Sequence, residues 1–305
     1  MRASEAKVRV ISNPSSGGGT YDFDQLRDKL DGLEPDWVET GGKEDAVEAA
    51  REWRSGLLIV AGGDGTVNDV VNGLSRAGFL EDVTLALLPS GTGNDLAATL
   101  AIPEDPDEAV EVIRQSRVRT LDVARVKSGG VGEHFFINVA TGGLGAQISD
   151  ANDEQLKGKW GKLSYLRASL EVSRNFDVRE VALTLDGEER LVRAVNVAVG
   201  NCRYAGGGWP AATRANPEDG LLDVVIIEDI GLKELLKLTP SALAGTDYLD
   251  QEGVFSTRAR VIRVETKPGL VFTVDGEVIG DEPAEFTVLP HALKIMVGSE
   301  YTPEP

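Results

Sequence analysis

Leu57-Leu58-Ile59-Val60-Ala61-Gly62-Gly63-Asp64-Gly65-Thr66 decides the fold of this chain. Five consecutive apolar residues read as a buried strand, and the glycines after them mark a tight turn into a helix. Strand, glycine loop and helix in that order aim backbone N–H groups and the positive end of a helix at an anion. The glycines permit close approach, Thr66 is suited to cap the helix, and Asp64 sets a carboxylate beside any bound phosphate. Phosphate and carboxylate repel unless Mg2+ or a proton intervenes, so Asp64 points to catalysis. The plainer reading is a tight β–α turn with a capping Asp. Gly-x4-Gly-Lys-Ser/Thr is absent, and Gly62–Gly65 lacks the Gly-x-Gly-x-x-Gly spacing, so neither a P-loop nor a dinucleotide fingerprint accounts for the motif.

The same logic recurs one unit later, where Leu85–Leu88 leads into Pro89-Ser90-Gly91-Thr92-Gly93-Asn94-Asp95. Thr92 and Asn94 are cap residues and phosphate donors, and Asp95 is a second carboxylate. Carboxyl ends of adjacent parallel strands line one crevice, so two motifs there reinforce each other. Upstream, Val8–Ile11 reads as a strand, Asn13–Gly19 as a loop, Phe23–Leu30 as a helix, Trp37–Glu39 as a strand and Glu44–Trp53 as a helix. Val67–Leu74 and a segment from Asn94 read as further helices. This alternation predicts a Rossmann-like three-layer α/β domain with a parallel sheet over residues 1–122.

After Asp122 the pattern changes to short strands: Leu121–Val126, Phe135–Val139, Val181–Leu185, Leu191–Val199, Leu222–Ile227, Arg260–Glu265, Leu270–Val274 and Ala284–Val288. Asp186-Gly187 and Asp219-Gly220 are turn signals among them. An all-β, antiparallel domain over 123–291 follows, interrupted by helical patterns at Lys157–Arg174 and Leu232–Ala244. The run Ala292–Val297 fits a strand of either domain. Val274-Asp275-Gly276-Glu277 carries an Asp-Gly hairpin signal, and Asp186-Gly187-Glu188 has the same letters; only agreement with the other motifs raises Glu277 above a plain turn residue.

The formal net charge of −19 and pI near 4.6 argue against a nucleic-acid partner. Of 31 basic residues only 11 are Lys, so the surface is strongly acidic. Two readings of this are a well-solvated surface and adaptation to a high-salt cytosol. Cys202 is the single cysteine and cannot form an internal disulfide, and no apolar run approaches the roughly 20 residues that span a bilayer. These features predict a cytoplasmic protein, with contact at the inner membrane face left open. Lys157, Lys159, Lys162 and Arg167 with Trp160 and Tyr165 either meet anionic lipid or form a solvated helix face. His134 and His291 read as structural.

Gly62-Gly63-Asp64-Gly65-Thr66-Val67-Asn68-Asp69-Val70-Val71-Asn72-Gly73 resembles the signature of the diacylglycerol kinase catalytic-domain family, which includes sphingosine and ceramide kinases and bacterial and archaeal lipid kinases. Asn13-Pro14-Ser15-Ser16-Gly17, Leu88–Asp95, Ala215–Asp223 and Val274–Glu277 continue the match in the family's order. The resemblance implies a nucleotide domain, a carboxy-terminal β-sandwich, ATP in the cleft between them, and a chain end (292–305) returning to the first domain. It implies ATP contacts from Thr40, from Gly62, Gly63, Asp64, Gly65, Thr66, Val67 and Asn68, and from Thr92. Glu277 matches the proton acceptor, although some relatives point to the position of Asp64. Asp64, Asp95 and Asp275 match acids around a catalytic Mg2+, and Asn216, Asp219 and Leu221 match a second, structural Mg2+ site. The implied activity is ATP-dependent phosphorylation of a lipid hydroxyl, diacylglycerol or a related glycerolipid. Two alternatives stay open: a kinase of NAD or another soluble acceptor, and a catalytically silent nucleotide-dependent lipid binder. Oligomeric state is left open, a homodimer included.

Overall fold

The computed structural model describes residues 7–16, 22–129, 132–143, 178–230, 247–275, 277–280 and 283–304. The helical patterns at Lys157–Arg174 and Leu232–Ala244 lie outside the described residues. The chain divides into two units, Met1–Val123 with Pro290–Pro303, and Ala124–Leu289 with Glu304–Pro305.

In the first unit, parallel strands β1 (Val8–Ser12), β2 (Asp36–Glu39), β3 (Gly56–Gly62) and β4 (Val83–Pro89) lie in the order β2-β1-β3-β4. Leu58–Ala61 of β3 and Leu85–Leu88 of β4 are buried throughout, as parallel strands covered on both faces require. Helix α1 (Phe23–Leu30) carries the chain from β1 to β2, whereas α2 (Lys43–Arg51) and α3 (Asp64–Ala77) carry it back across β1 and on to β4. With right-handed crossovers, that reversal puts α1 on one face and α2 with α3 on the other. Gly73 lets α3 close on α2, because a Cβ there would lie 2.5 Å from the Val47 carbonyl oxygen. After the short helix α4 (Asp95–Thr99), α5 (Pro106–Gln115) packs beside α1, with Arg114 Nη2 donating to the Lys29 carbonyl at 3.2 Å. Lys294 and Ile295 pair in parallel with Thr84 and Leu85, so the end of the chain extends this sheet. Arg117 fastens it by donating to the carbonyls of Gly298, Ser299 and Tyr301.

The second unit is built on antiparallel strands. The long strand Glu188–Gly200 makes a hairpin with Arg179–Leu185 through its first half. Its second half lies between Val139–Gly143 and Leu222–Glu228. Asp186 and Gly187 both have positive φ, 49° and 95°, as a two-residue type I′ hairpin demands. Phe136, Phe272 and Phe286 centre the core, with edge-to-face contacts at 6.2 and 5.3 Å.

Several element readings change, among them the strand Val254–Ala259, which pairs with Leu222–Ile227 and was not anticipated. Helix α3 starts at Asp64 rather than Val67, its first intrahelical bond running from Val67 N–H to the Gly63 carbonyl. Helix α5 was not anticipated. Phe135–Val139 is two strands, Gly132–Phe136 and Val139–Gly143, broken where the Asn138 carbonyl accepts from the N–H groups of Asn201 and Cys202. Ala284–Val288 and Ala292–Val297 are one strand, Ala284–Met296, whose kink is absorbed at His291 with φ 54°.

Candidate active site

Three loops meet at the carboxyl edge of the parallel sheet. The Asn13 side chain organises the first: its Oδ1 accepts from Ser15 N–H and Oγ, and its Nδ2 donates to Thr66 Oγ1 at 3.3 Å. Ser16 Oγ donates to the Asn13 carbonyl and shares a 2.7 Å hydrogen bond with Ser90 Oγ. Thr40, at the end of β2, is buried and spends its hydroxyl on the Ser12 carbonyl.

The second and third loops are locked together. A Cβ on Gly63 would lie 2.9 Å from Gly91 Cα, and one on Gly91 would lie 2.5 Å from Gly63 Cα. Ser90 N–H donates to the Gly62 carbonyl at 3.1 Å. Asp64 reaches across, accepting from Asp95 N–H at 2.9 Å and Leu96 N–H at 3.1 Å. Asn94, at φ 53°, accepts from Gly91 N–H and donates back to the Gly91 carbonyl, closing the third loop on itself. A pocket of about 10 Å³, room for roughly one water, lies among Gly62, Gly63, Asp64, Pro89 and Asn94 over Val67 and Leu87.

Helix α3 therefore begins inside the first glycine motif, with Gly63 at its N-cap and no side-chain cap. Thr66 does not cap it; it lies in the first turn and takes the Asn13 amide instead. The first intrahelical bond is Val67 N–H to the Gly63 carbonyl. The Gly65 and Thr66 amides precede it and point off the positive end of the helix. A Cβ on Gly65 would meet nothing within 4 Å, so that end is open. Val67 and Asn68 are buried, and Asn68 accepts from Asn72 Nδ2 through its carbonyl and its Oδ1. Asp95 is buried and Thr92 is exposed at the loop tip. Thr40, Gly62 to Asn68, Thr92 and Asp95 thus all belong to the first unit; Asp275, Glu277, Asn216, Asp219 and Leu221 belong to the second.

In the second unit, Phe272–Val274 pairs with Val139–Gly143 on one side and with Glu277–Val278 on the other. Val274 is opposite Glu277, and Asp275 adopts φ 46° in the turn between them. Thr141 and Thr273 join their hydroxyls at 3.1 Å, and Ser128 Oγ donates to the Ile279 carbonyl, which fixes the hairpin carrying Glu277. Glu277 is half-buried and Asp275 Oδ1 is buried, whereas Asp186 and Glu188 of the look-alike turn are exposed. Asp186 there serves the fold, accepting from the N–H groups of Arg260 and Val261.

The turn from Asn216 to Leu221 is a second polar feature of this unit. Asn216 Oδ1 accepts from Glu218 N–H at 2.9 Å, and Asp219 Oδ1 accepts from Leu221 N–H at 3.0 Å. Asp219 Oδ2 pairs with Arg258 Nη1 at 3.1 Å. Two residues on, Asp223 is buried. Burial pushes its carboxyl up to about 7; Arg258 opposes the rise, Asp219 adds to it and Arg214 opposes it. Two buried polar groups escaped the sequence reading. Asp122, fully buried, accepts from His291 N–H at 2.7 Å, and Asn201 Nδ2 donates to the Ile137 carbonyl at 2.8 Å. Their only signal was a polar letter inside an apolar strand run.

Comparison with known proteins bears on both units. The family model described as the diacylglycerol kinase catalytic domain matches residues 7–126, and that of the YegS C-terminal NAD kinase beta sandwich-like domain matches residues 138–297. The chain is 30% identical over 302 residues to a diacylglycerol kinase of Bacillus subtilis (strain 168), covering 96% of this chain and 97% of that one. It is 33% identical over 255 residues to a protein of Chromohalobacter salexigens described as "Probable lipid kinase YegS-like", covering 82% and 79%. Its structure is similar to the crystal structure of a candidate diacylglycerol kinase from Bacillus anthracis str. Sterne, with TM-score 0.82, 27% identity and coverage of 99% and 98%.

Proposed function

Because this chain belongs to the diacylglycerol kinase catalytic-domain family and is a lipid kinase of the YegS-like kind, we propose that it transfers the γ-phosphate of ATP to the hydroxyl of diacylglycerol or a related glycerolipid. The observation that carries this reading is the mutual locking of three loops at the open end of α3. Backbone amides held in place before the reaction stabilise developing phosphoryl charge without reorganising. Glu277 accepts the proton of the lipid hydroxyl as its oxygen attacks, late in a loose transition state. Asp64 has both oxygens on the amides that begin α4, which favours Glu277 over Asp64 as the base. Asp64 then acts chiefly by holding the Gly91–Asn94 loop against the Gly62–Gly63 loop.

The acid chemistry fits Mg2+. As the family resemblance implies, Asp64, Asp95 and Asp275 would hold the catalytic ion through water. When bound, Mg2+ supplies charge neutralisation on the phosphates. The Asn216–Leu221 turn presents a hard, all-oxygen donor set, the Asp219 carboxylate with the Asn216 and Leu221 carbonyls, suited to a second divalent cation. No helix among the described residues is long and apolar enough to cross a membrane.

The test is transfer of label from γ-labelled ATP, with Mg2+, to a panel of diacylglycerol, ceramide, sphingosine and NAD. Labelled phosphatidic acid is the expected product. Label on NAD alone would turn the reading to a soluble acceptor, and no transfer to any of them would overturn it.

A further inference from the structure

We propose that Asp223 is the buried acid that completes the divalent-cation site at the Asn216–Leu221 turn, as a ligand directly or through one water. The inference rests on the reading that this turn takes a cation. Asp223 is the second residue of the strand Leu222–Glu228 and is only 5% exposed. Its Oδ2 is buried and accepts no hydrogen bond among the described residues. An uncompensated carboxylate oxygen in such a place is costly unless a positive charge or a donor reaches it.

Both guanidiniums that act on Asp223 are otherwise engaged, Arg214 with Asp247 and Asp250. Arg258 stands opposite Asp223 in the strand register, yet its Nη1 pairs with Asp219 Oδ2 at 3.1 Å, and its side chain is half exposed. Arg258 faces Asp223 across the strand pair and binds Asp219, so the two carboxylates stand about one guanidinium at the start of this strand. A doubly charged ion at the turn relieves both at once, which a single arginine does not. Arg258 holds Asp219 through one oxygen, its own side chain half exposed, in a pair that a divalent cation can displace. Asp223 would accordingly be a liability to the fold without the ion and an asset with it.

The full chain is melted without nucleotide, in EDTA and in Mg2+, and Mn2+ binding is counted by electron paramagnetic resonance. The wild type gains Tm with Mg2+, and Asp219→Asn loses that gain. Asp223→Asn melts in EDTA at or above the wild-type temperature, since it lacks the uncompensated charge, while its cation affinity falls at least about tenfold. Asp223→Leu, of the same branched shape but larger and uncharged, serves as the second variant. Retention of the wild-type Mg2+ response by Asp223→Asn overturns the inference but leaves the turn as a cation site. Failure of both Asp223 variants to fold in EDTA also overturns it, because the acid would then serve the ion-free fold. No Mg2+ or Mn2+ response in the wild type overturns the cation reading of the turn and the inference together.

Discussion

Glycines of the proposed phosphate loops carry two different duties. Gly63 and Gly91 are packed backbone to backbone, so a methyl on either must push the main chain. Gly65 faces open space at the end of α3, and a methyl there meets no protein atom. Gly91→Ala is expected to destabilise the first unit by about 1–3 kcal/mol, read as a lower urea midpoint. Gly65→Ala should hold or slightly raise stability, by up to about 1 kcal/mol as a Gly-to-Ala change in a helix, yet raise the KM for ATP severalfold because its Cβ occupies the phosphate cradle. Equal stability losses in the two variants would contradict the assignment. The motif letters announced that these glycines matter, but not which of them touches protein and which faces open space. Asp64 shows the same limit. The sequence marked it as catalytic, and only the third dimension revealed its two backbone amides. Asp223 was legible only as the last letter of the Ala215–Asp223 motif, and nothing in the sequence showed that its carboxylate is buried with an unpaired oxygen.

At the scale of elements, apolar periodicity located β3 and β4 within a residue or two, because each is buried on both faces and bounded by turn residues. Helix α5 was overlooked although its start is written plainly in Asp105-Pro106. Asp105 caps it by accepting from Asp107 N–H at 2.9 Å and Glu108 N–H at 3.1 Å, and Pro106 follows at the first helical position. Asp105→Ala should cost about 1 kcal/mol, measured as a shift of the denaturant midpoint with an unchanged slope. Asp105→Asn should recover most of it, and no loss in Asp105→Ala would show that the cap is idle. The single long strand Ala284–Met296 was read as two because Pro290 and His291 interrupt the alternation. Pairing with strands on either side of that interruption outweighs the local signal.

For the molecule as a whole, composition bounded the partners but said little about stability. Its ion pairs are mostly exposed, including Arg214 with Asp247 and Asp250, and such pairs contribute only about 0–1 kcal/mol each. They do little to offset the repulsion within a chain of net charge −19. Raising KCl from about 0.05 to 1 M, which shortens the screening length from above 10 Å to about 3 Å, should raise Tm by several degrees; a flat or falling Tm would count against that repulsion. The order of motifs along the chain let the sequence propose a two-unit kinase, since letters in both halves had to be explained by one chemistry. Whether acids of both units serve one phosphoryl group is the central claim. It is tested most directly by Glu277→Gln, assayed for turnover with diacylglycerol and for equilibrium ATP binding. The account predicts that kcat falls by roughly 100-fold or more while the Kd for ATP stays within about threefold; near-normal turnover would contradict it.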